Sequence, residues 1–221
     1  MSIIIKLPQG PIRPVVEALE ENEILHGWVT QLEDSATRQL SRLQDDGADI
    51  IEEGDQYYEI YHGLDGTAWA LDHLFSQYFP GLQRAAAFLV IWGSFERHMN
   101  ELCREVALAG SYRVAVEDLS GTGLTRARTY LLKVAGLDGA WADAQWQEFP
   151  EFQRIRNLFA HGDGSLDPKN AKLVAYVERS LHITVQNNTV QLAASFLPHL
   201  LNTKRHFLHG LEEGIVKRFG R

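Results

Sequence analysis

Cysteine is nearly absent. Cys103 is the only one in 221 residues, so no internal disulfide can form and a reducing compartment is the natural home. It falls between Met99 and Val106 on an apolar stripe, which makes it a small core residue rather than a nucleophile. Long apolar runs are missing too. The longest, Ala85–Trp92, is far too short to span a bilayer, and the run opening MSIIIKLPQG breaks at Pro8 without becoming a signal peptide. The expectation is a cytoplasmic protein with no membrane contact. There is no P-loop, no glycine-rich dinucleotide turn, no HExxH and no paired cysteines. No cofactor is called for, and there is no internal repeat or low-complexity tract.

What is present is a core-forming composition with an uneven charge. Apolar residues make up 45% of the chain, enough for one sizeable domain. Residues 1–60 carry four Lys/Arg against thirteen Asp/Glu, whereas residues 121–221 carry thirteen against nine. The net charge of −8 argues against a whole-protein field that attracts nucleic acid, yet leaves room for a basic site in the C-terminal half.

Periodicity predicts helices over most of the chain. A long one runs from Pro14 to about Asp46, followed by an acidic, glycine-containing stretch, Gly47–Asp55, that reads as a frayed end or a loop. A second covers Thr67–Tyr78, burying Trp69 and Tyr78 and stopping before Pro80. Leu82–Ala109 is the strongest, with Phe88, Trp92, Phe95, Met99, Leu102 and Val106 at threes and fours. Glu96, Asn100 and Arg104 form a polar stripe on it, and His98 reads as structural or solvated. Leu124–Val134 is a short helix with Arg126, Arg128 and Lys133 on an exposed basic side. The Trp-rich stretch 140–148 leads into a helix ending near His161, and Pro168–Ser180 forms another. Leu181–Leu192 alternates about Asn187-Asn188, the pattern of a β-hairpin, and Ala194–Phe219 closes the chain as a helix. His199, His206 and His209 could share a face of that last helix, but no carboxylate ligand stands beside them in the pattern, and surface histidines are the simpler reading. The class is all-α with one small hairpin, divided into an acidic helical extension over 1–80 and a helical domain over 81–221.

The chemistry concentrates in FQRIRNLFAHGDG, residues 152–164. As a helix it places Arg154, Asn157, Leu158 and His161 on one stripe, with Phe152, Ile155 and Phe159 as the buried stripe beside it. Arg156 lies about 140° round from His161 and roughly 7.5 Å up the axis, a gap that a long arginine covers. Gly162 is positioned as the glycine that ends the helix, leaving His161 in the last turn, where the negative end of the dipole favours an imidazolium. A guanidinium and a proton donor can so converge on one anion.

Arg156-Asn157-Leu158-Phe159-Ala160-His161 resembles the signature of the HEPN superfamily, helical bundles found in many prokaryotic toxins and defence ribonucleases. That signature is an Arg, usually followed by a polar residue, with four to six residues before a His. WGSFERHMNELC, residues 92–103, is similar to the neighbouring helix of that family, whose acidic residue holds the motif arginine. The resemblance covers about residues 82–215 and implies a HEPN-like bundle acting as a metal-independent endoribonuclease on single-stranded RNA. His161 would transfer the proton, Arg156 clamp the phosphorane, Asn157 orient the imidazole or a phosphate oxygen, and Glu96 hold Arg156. Arg154 and Asn100 are the expected RNA contacts, with no metal among the ligands. It further implies a homodimer with a composite site, Phe149, Phe152 and Phe159 near the contact, and an antitoxin or defence-system partner. Some such partners modify a tyrosine two residues after the motif histidine; here that position is Asp163. The alternatives are a catalytically silent HEPN-like module that binds nucleic acid or scaffolds, and a purely structural partner subunit.

Overall fold

The computed structural model describes residues 10–54, 56–138, 146–162 and 164–220. Most of them are helical, with two small antiparallel sheets. The long first helix, α1, runs Arg13–Asp46, about 50 Å, with Pro14 in the first turn, where its missing N–H costs nothing. Its first half is not a separate extension: Val15, Ala18, Leu25 and Val29 share the main core with the central and last helices. The core therefore does not divide at residue 80. Its far half passes beyond that core, and Leu43 joins Leu71 and Phe75 in a second small cluster.

The acidic stretch Gly47–Asp55, expected as a frayed end or a loop, holds a strand, and two more follow it. β1 (Asp49–Glu53), β2 (Gln56–Tyr61) and β3 (Leu64–Asp65) make an antiparallel sheet in sequence order, with Ile51 opposite Tyr58. Ile50, Ile51 and Tyr57 stay exposed on it, so no buried face imprinted a period of two on the sequence. The chain is thus mainly α, with one sheet more than the hairpin expected.

The second helix also departs from expectation. α2 (Leu71–His73) passes through a π-helical turn, Leu74–Tyr78, straight into α3 (Phe79–Gly110). The wider turn, with Phe79 N–H bonded to Leu74 C=O, lets the helix run through Pro80 instead of stopping there. Trp69 and Tyr78 lie more than half exposed rather than buried. α3 is the central pillar, burying Phe88, Trp92, Phe95, Met99, Leu102 and Val106 as its spacing predicts. Cys103 is buried among them, its thiol 3.6 Å from Ala127 C=O, and burial pushes that thiol up to about 12.

α4 (Gly123–Lys133) leans on α3 through Leu124, Ala127, Tyr130 and Leu131. Arg126 and Arg128 are half-buried, not exposed, and Arg128 lies over the Trp146 ring at 4.8 Å. The stretch read as leading into the motif helix lies outside the described residues as far as position 145. α5 (Phe149–His161) is the motif helix, with Pro150 in its first turn and Phe149, Phe152 and Ile155 turned into the core. Truncating either phenylalanine would cost about 3–5 kcal/mol, more than any surface contact of this helix. α6 (Ala171–Arg179) follows, its N-cap Asn170 accepting from Leu173 N–H. β4 (Ile183–Gln186) and β5 (Thr189–Leu192) form the expected hairpin, Asn187 and Asn188 both in the left-handed region its turn requires. α7 (Phe196–Phe219) closes the molecule against α1 and α3. None of the described helices is long and apolar enough to cross a membrane.

Candidate functional site

α5 ends at His161, but not as its glycines suggested. Gly162 is extended, at φ −157, and it is Gly164 that takes the left-handed conformation, at φ 84. Gly164 exchanges with the hairpin: Val190 N–H donates to its C=O at 2.9 Å, and Leu166 N–H donates to Asn188 C=O at 2.9 Å. A Cβ there would press on the Phe159 ring and Thr189. The end of the motif helix is thus pinned by the hairpin, and His161 stands exposed in its last turn. Asp163 lies outside the described residues.

One turn back, α5 meets α3. Arg156 Nη2 lies 3.9 Å from Glu96 Oε2, and its Nη1 donates to Asn157 Oδ1 at 3.1 Å. Glu96 is held independently, accepting from Trp92 Nε1 at 2.9 Å. The start of α4 closes the other side: at Gly123, where φ is 53, a Cβ would overlap Glu96 Oε1. The Arg156 and Glu96 side chains are 30% and 21% exposed. A half-shielded pair at that distance adds at most about 1 kcal/mol, so its consequence is orientation rather than stability.

The structure therefore brings Arg156, Glu96 and Asn157 together. Arg154 is drawn instead to Glu151 on its own helix. Asn100 sits one turn beyond Glu96, half-buried, its Oδ1 without a hydrogen bond among the described residues. Phe149 and Phe152, expected near a dimer contact, are wholly internal; Phe159 alone of the three reaches the surface region. It lines an apolar groove of about 470 Å³ with Tyr78, Leu82, Leu89, Gly162 and Leu192, a groove that includes neither Arg156 nor His161.

Two polar clusters escaped the sequence reading because their members lie far apart in the chain. At the opposite end of α5, His199 Nε2 lies 2.6 Å from Glu148 Oε2 and its ring stacks on His182 at 4.2 Å, while His182 Nδ1 meets Ser195 Oγ at 2.9 Å. The His199 hydrogen bond holds the Glu148 carboxyl below its usual range, and burial lowers His182. A small cleft over this cluster also takes in Tyr176 and Arg179. The second cluster lies where α1, α3 and α7 meet. His98 is buried with Nε2 3.0 Å from Glu21 Oε2, and Lys204 is completely buried beneath, its ammonium 5.5 Å from the Phe95 ring centre. Burial brings Lys204 down to about 8, against the pull of Glu21. The three histidines of the last helix do not converge: His199 turns to Glu148 and His209 to Glu212. Compared with protein-family models, curated proteins and solved structures, the chain finds no match in any of the three.

Proposed function

We propose that the protein is a metal-independent endoribonuclease of HEPN type, with Arg156 and His161 as its reactive pair. The observation that carries this reading is an arginine held from behind by Glu96, with Asn157 beside it and an exposed histidine at the end of the same short helix. RNA carries its own nucleophile, the 2′-OH, so the protein need supply only proton transfer and a positive clamp. His161 would move the proton, Arg156 would take the developing phosphorane charge, and Asn157 would orient one of them. Attack of the 2′-oxygen on the adjacent phosphorus and departure of the 5′-oxygen leave a 2′,3′-cyclic phosphate and a 5′-OH. The HEPN-like order of central helix, motif helix, hairpin and closing helix supports the same reading. RNA would be the substrate, and an antitoxin or defence-system protein the restraining partner.

One arginine and one histidine are little for a doubly charged intermediate, so the working unit would be a two-fold dimer presenting two pairs to one cleft. With Phe149 and Phe152 internal, the contact would fall on Phe159 and the exposed Leu82 and Tyr78. The second reading, a silent HEPN-like binding module, is favoured by the apolar groove, whose lining includes neither Arg156 nor His161. Incubating single-stranded RNA with wild type, His161→Ala and a His182→Ala/His199→Ala variant separates these outcomes. Cleavage lost only in His161→Ala supports the proposal. Loss only in the double variant moves the reaction to the other end of α5, and no cleavage by wild type favours the binding module.

A further inference from the structure

The seam between α1 and α3 holds a second grouping with its own chemistry. Glu17 comes from α1, and His98 and Glu101 come from α3 one turn apart. Each offers one ligand atom, and all of these lie within 4.8 Å of one another. His98 is the informative member. Its Nε2 lies 3.0 Å from Glu21 Oε2, and only a protonated Nε2 can donate to that carboxylate. The lone pair is then left on Nδ1, which is buried and has no hydrogen-bond partner among the described residues. That nitrogen points towards Glu101, 3.7 Å from Oε2. A carboxylate behind one imidazole nitrogen, with the other free and facing further carboxylates, is the outer-shell arrangement of metal-ligating histidines.

We propose that Glu17, His98 Nδ1 and Glu101 form a binding site for a divalent transition-metal ion, zinc above all, that clips α1 to α3. Tetrahedral zinc with bonds near 2 Å places its ligand atoms about 3.4 Å apart, and the His98–Glu101 pair is already close to that. The remaining closure needs only rotation of two glutamates whose side chains are 30% and 37% exposed. Two carboxylates and a neutral imidazole balance the ion's charge and leave a fourth position for water. The nitrogen ligand selects against magnesium and calcium, which take oxygen.

The cations facing the site do not block it. Arg97 approaches Glu101 through Oε1, the oxygen turned from His98, and Glu21 through Oε1 as well. Its Nη2 also lies 3.4 Å from His98 Nε2, the nitrogen turned to Glu21, and so leaves Nδ1 clear. Arg13 divides between Glu17 Oε1 and Glu105. Lys204 acts on His98 across Glu21, whose charge offsets it. The site is independent of the proposed ribonuclease centre, because Glu96 and His98 project about 200° apart on α3.

Calorimetric titration of the chelator-stripped full chain with ZnCl2 tests the proposal. One zinc should bind per chain, raising the melting temperature, and Co2+ should give the intense visible bands of a four-coordinate site. A Glu17→Gln/Glu101→Gln variant spares the buried histidine, so its metal-free melting temperature should stay within a few degrees of wild type. Its zinc affinity should fall at least ~100-fold. His209→Ala, which removes the surface His209–Glu212 pair, should bind as wild type does. No stoichiometric binding by wild type, undiminished binding by the double glutamine variant, or binding lost in His209→Ala would each overturn the site.

Discussion

At the scale of single residues, the two polar groups with most consequence are an exposed one and a buried one. His161 is exposed and no hydrogen bond or ion pair holds it among the described residues, so His161→Ala should leave the melting temperature unchanged while abolishing cleavage. Arg156→Ala should abolish cleavage too, at a stability cost of at most about 1 kcal/mol from its Glu96 pair. A combined variant should cleave no worse than the poorer single one, because groups that act as a unit are not additive. Wild-type cleavage by either single variant, measured on a labelled single-stranded RNA, would remove these roles. Lys204 is the opposite case. In the folded chain it titrates near 8, against an ordinary 10.5, so between those values the unfolded chain holds a proton that the folded one has released. Stability must therefore rise with pH across that window, by up to about 3 kcal/mol. Lys204→Met should flatten that rise and be neutral or stabilising at pH 7, since a matched apolar side chain replaces a buried charge. Urea midpoints between pH 7 and 10.5 read both effects. A profile as steep in Lys204→Met as in wild type would assign the rise to other groups.

At the scale of elements, the site depends on how closely α4 approaches α3. Gly123 opens α4 in the left-handed region, and its missing side chain is the space that Glu96 occupies. Gly123→Ala carries both a backbone penalty and an overlap, so it should lower stability by about 1–3 kcal/mol. It should also weaken cleavage, because a displaced Glu96 no longer steadies Arg156. Glu96→Gln, which keeps the shape and removes the charge, should reduce cleavage with a smaller loss of stability. If Gly123→Ala lowers the urea midpoint yet leaves the cleavage rate untouched, Glu96 has no part in orienting the arginine. The hairpin plays the matching part at the C-terminal end of α5, where the bonds of Gly164 to Val190 and of Leu166 to Asn188 fix the chain just past the last turn carrying His161.

At the scale of the whole molecule, two outcomes follow from the proposed mechanism. Cleavage should continue in excess chelator and yield cyclic phosphate ends, since no metal enters the bond-breaking step. Any zinc between α1 and α3 makes this assay informative only below the melting temperature of the chelated chain. A DNA nucleotide at the scissile position should block the reaction by removing the nucleophile. Loss of activity in chelator, restored by magnesium or manganese, would overturn the mechanism. Sedimentation at micromolar concentration should give a dimer, and Leu82→Arg should yield a monomer with cleavage reduced at least tenfold. A strictly monomeric, fully active wild type would rule out the composite site.

The helices whose apolar residues face one core are written in the order of the residues. α3, α5 and α7 are legible because one-sided burial writes a 3.6-residue period into the chain, and the hairpin because Asn187-Asn188 suit left-handed backbone. Other features arise from packing between distant parts of the chain. No described residue of the three-stranded sheet is fully buried, its inner positions Tyr61 and Leu64 only half-covered by the small Leu43–Leu71–Phe75 cluster, so the apolar-polar alternation stays weak. A π turn carries the helix through Pro80, where propensity says stop. Phe149 and Phe159 look alike in the sequence, but packing against α3 buries the first and leaves the second beside a groove. Glu96 could be matched to Arg156 through a family pattern, whereas Glu21, His98 and Lys204 could not be matched to one another. Their meeting depends on α1 and α7 crossing α3 at one level, and contacts between residues so distant in the chain leave no periodicity behind.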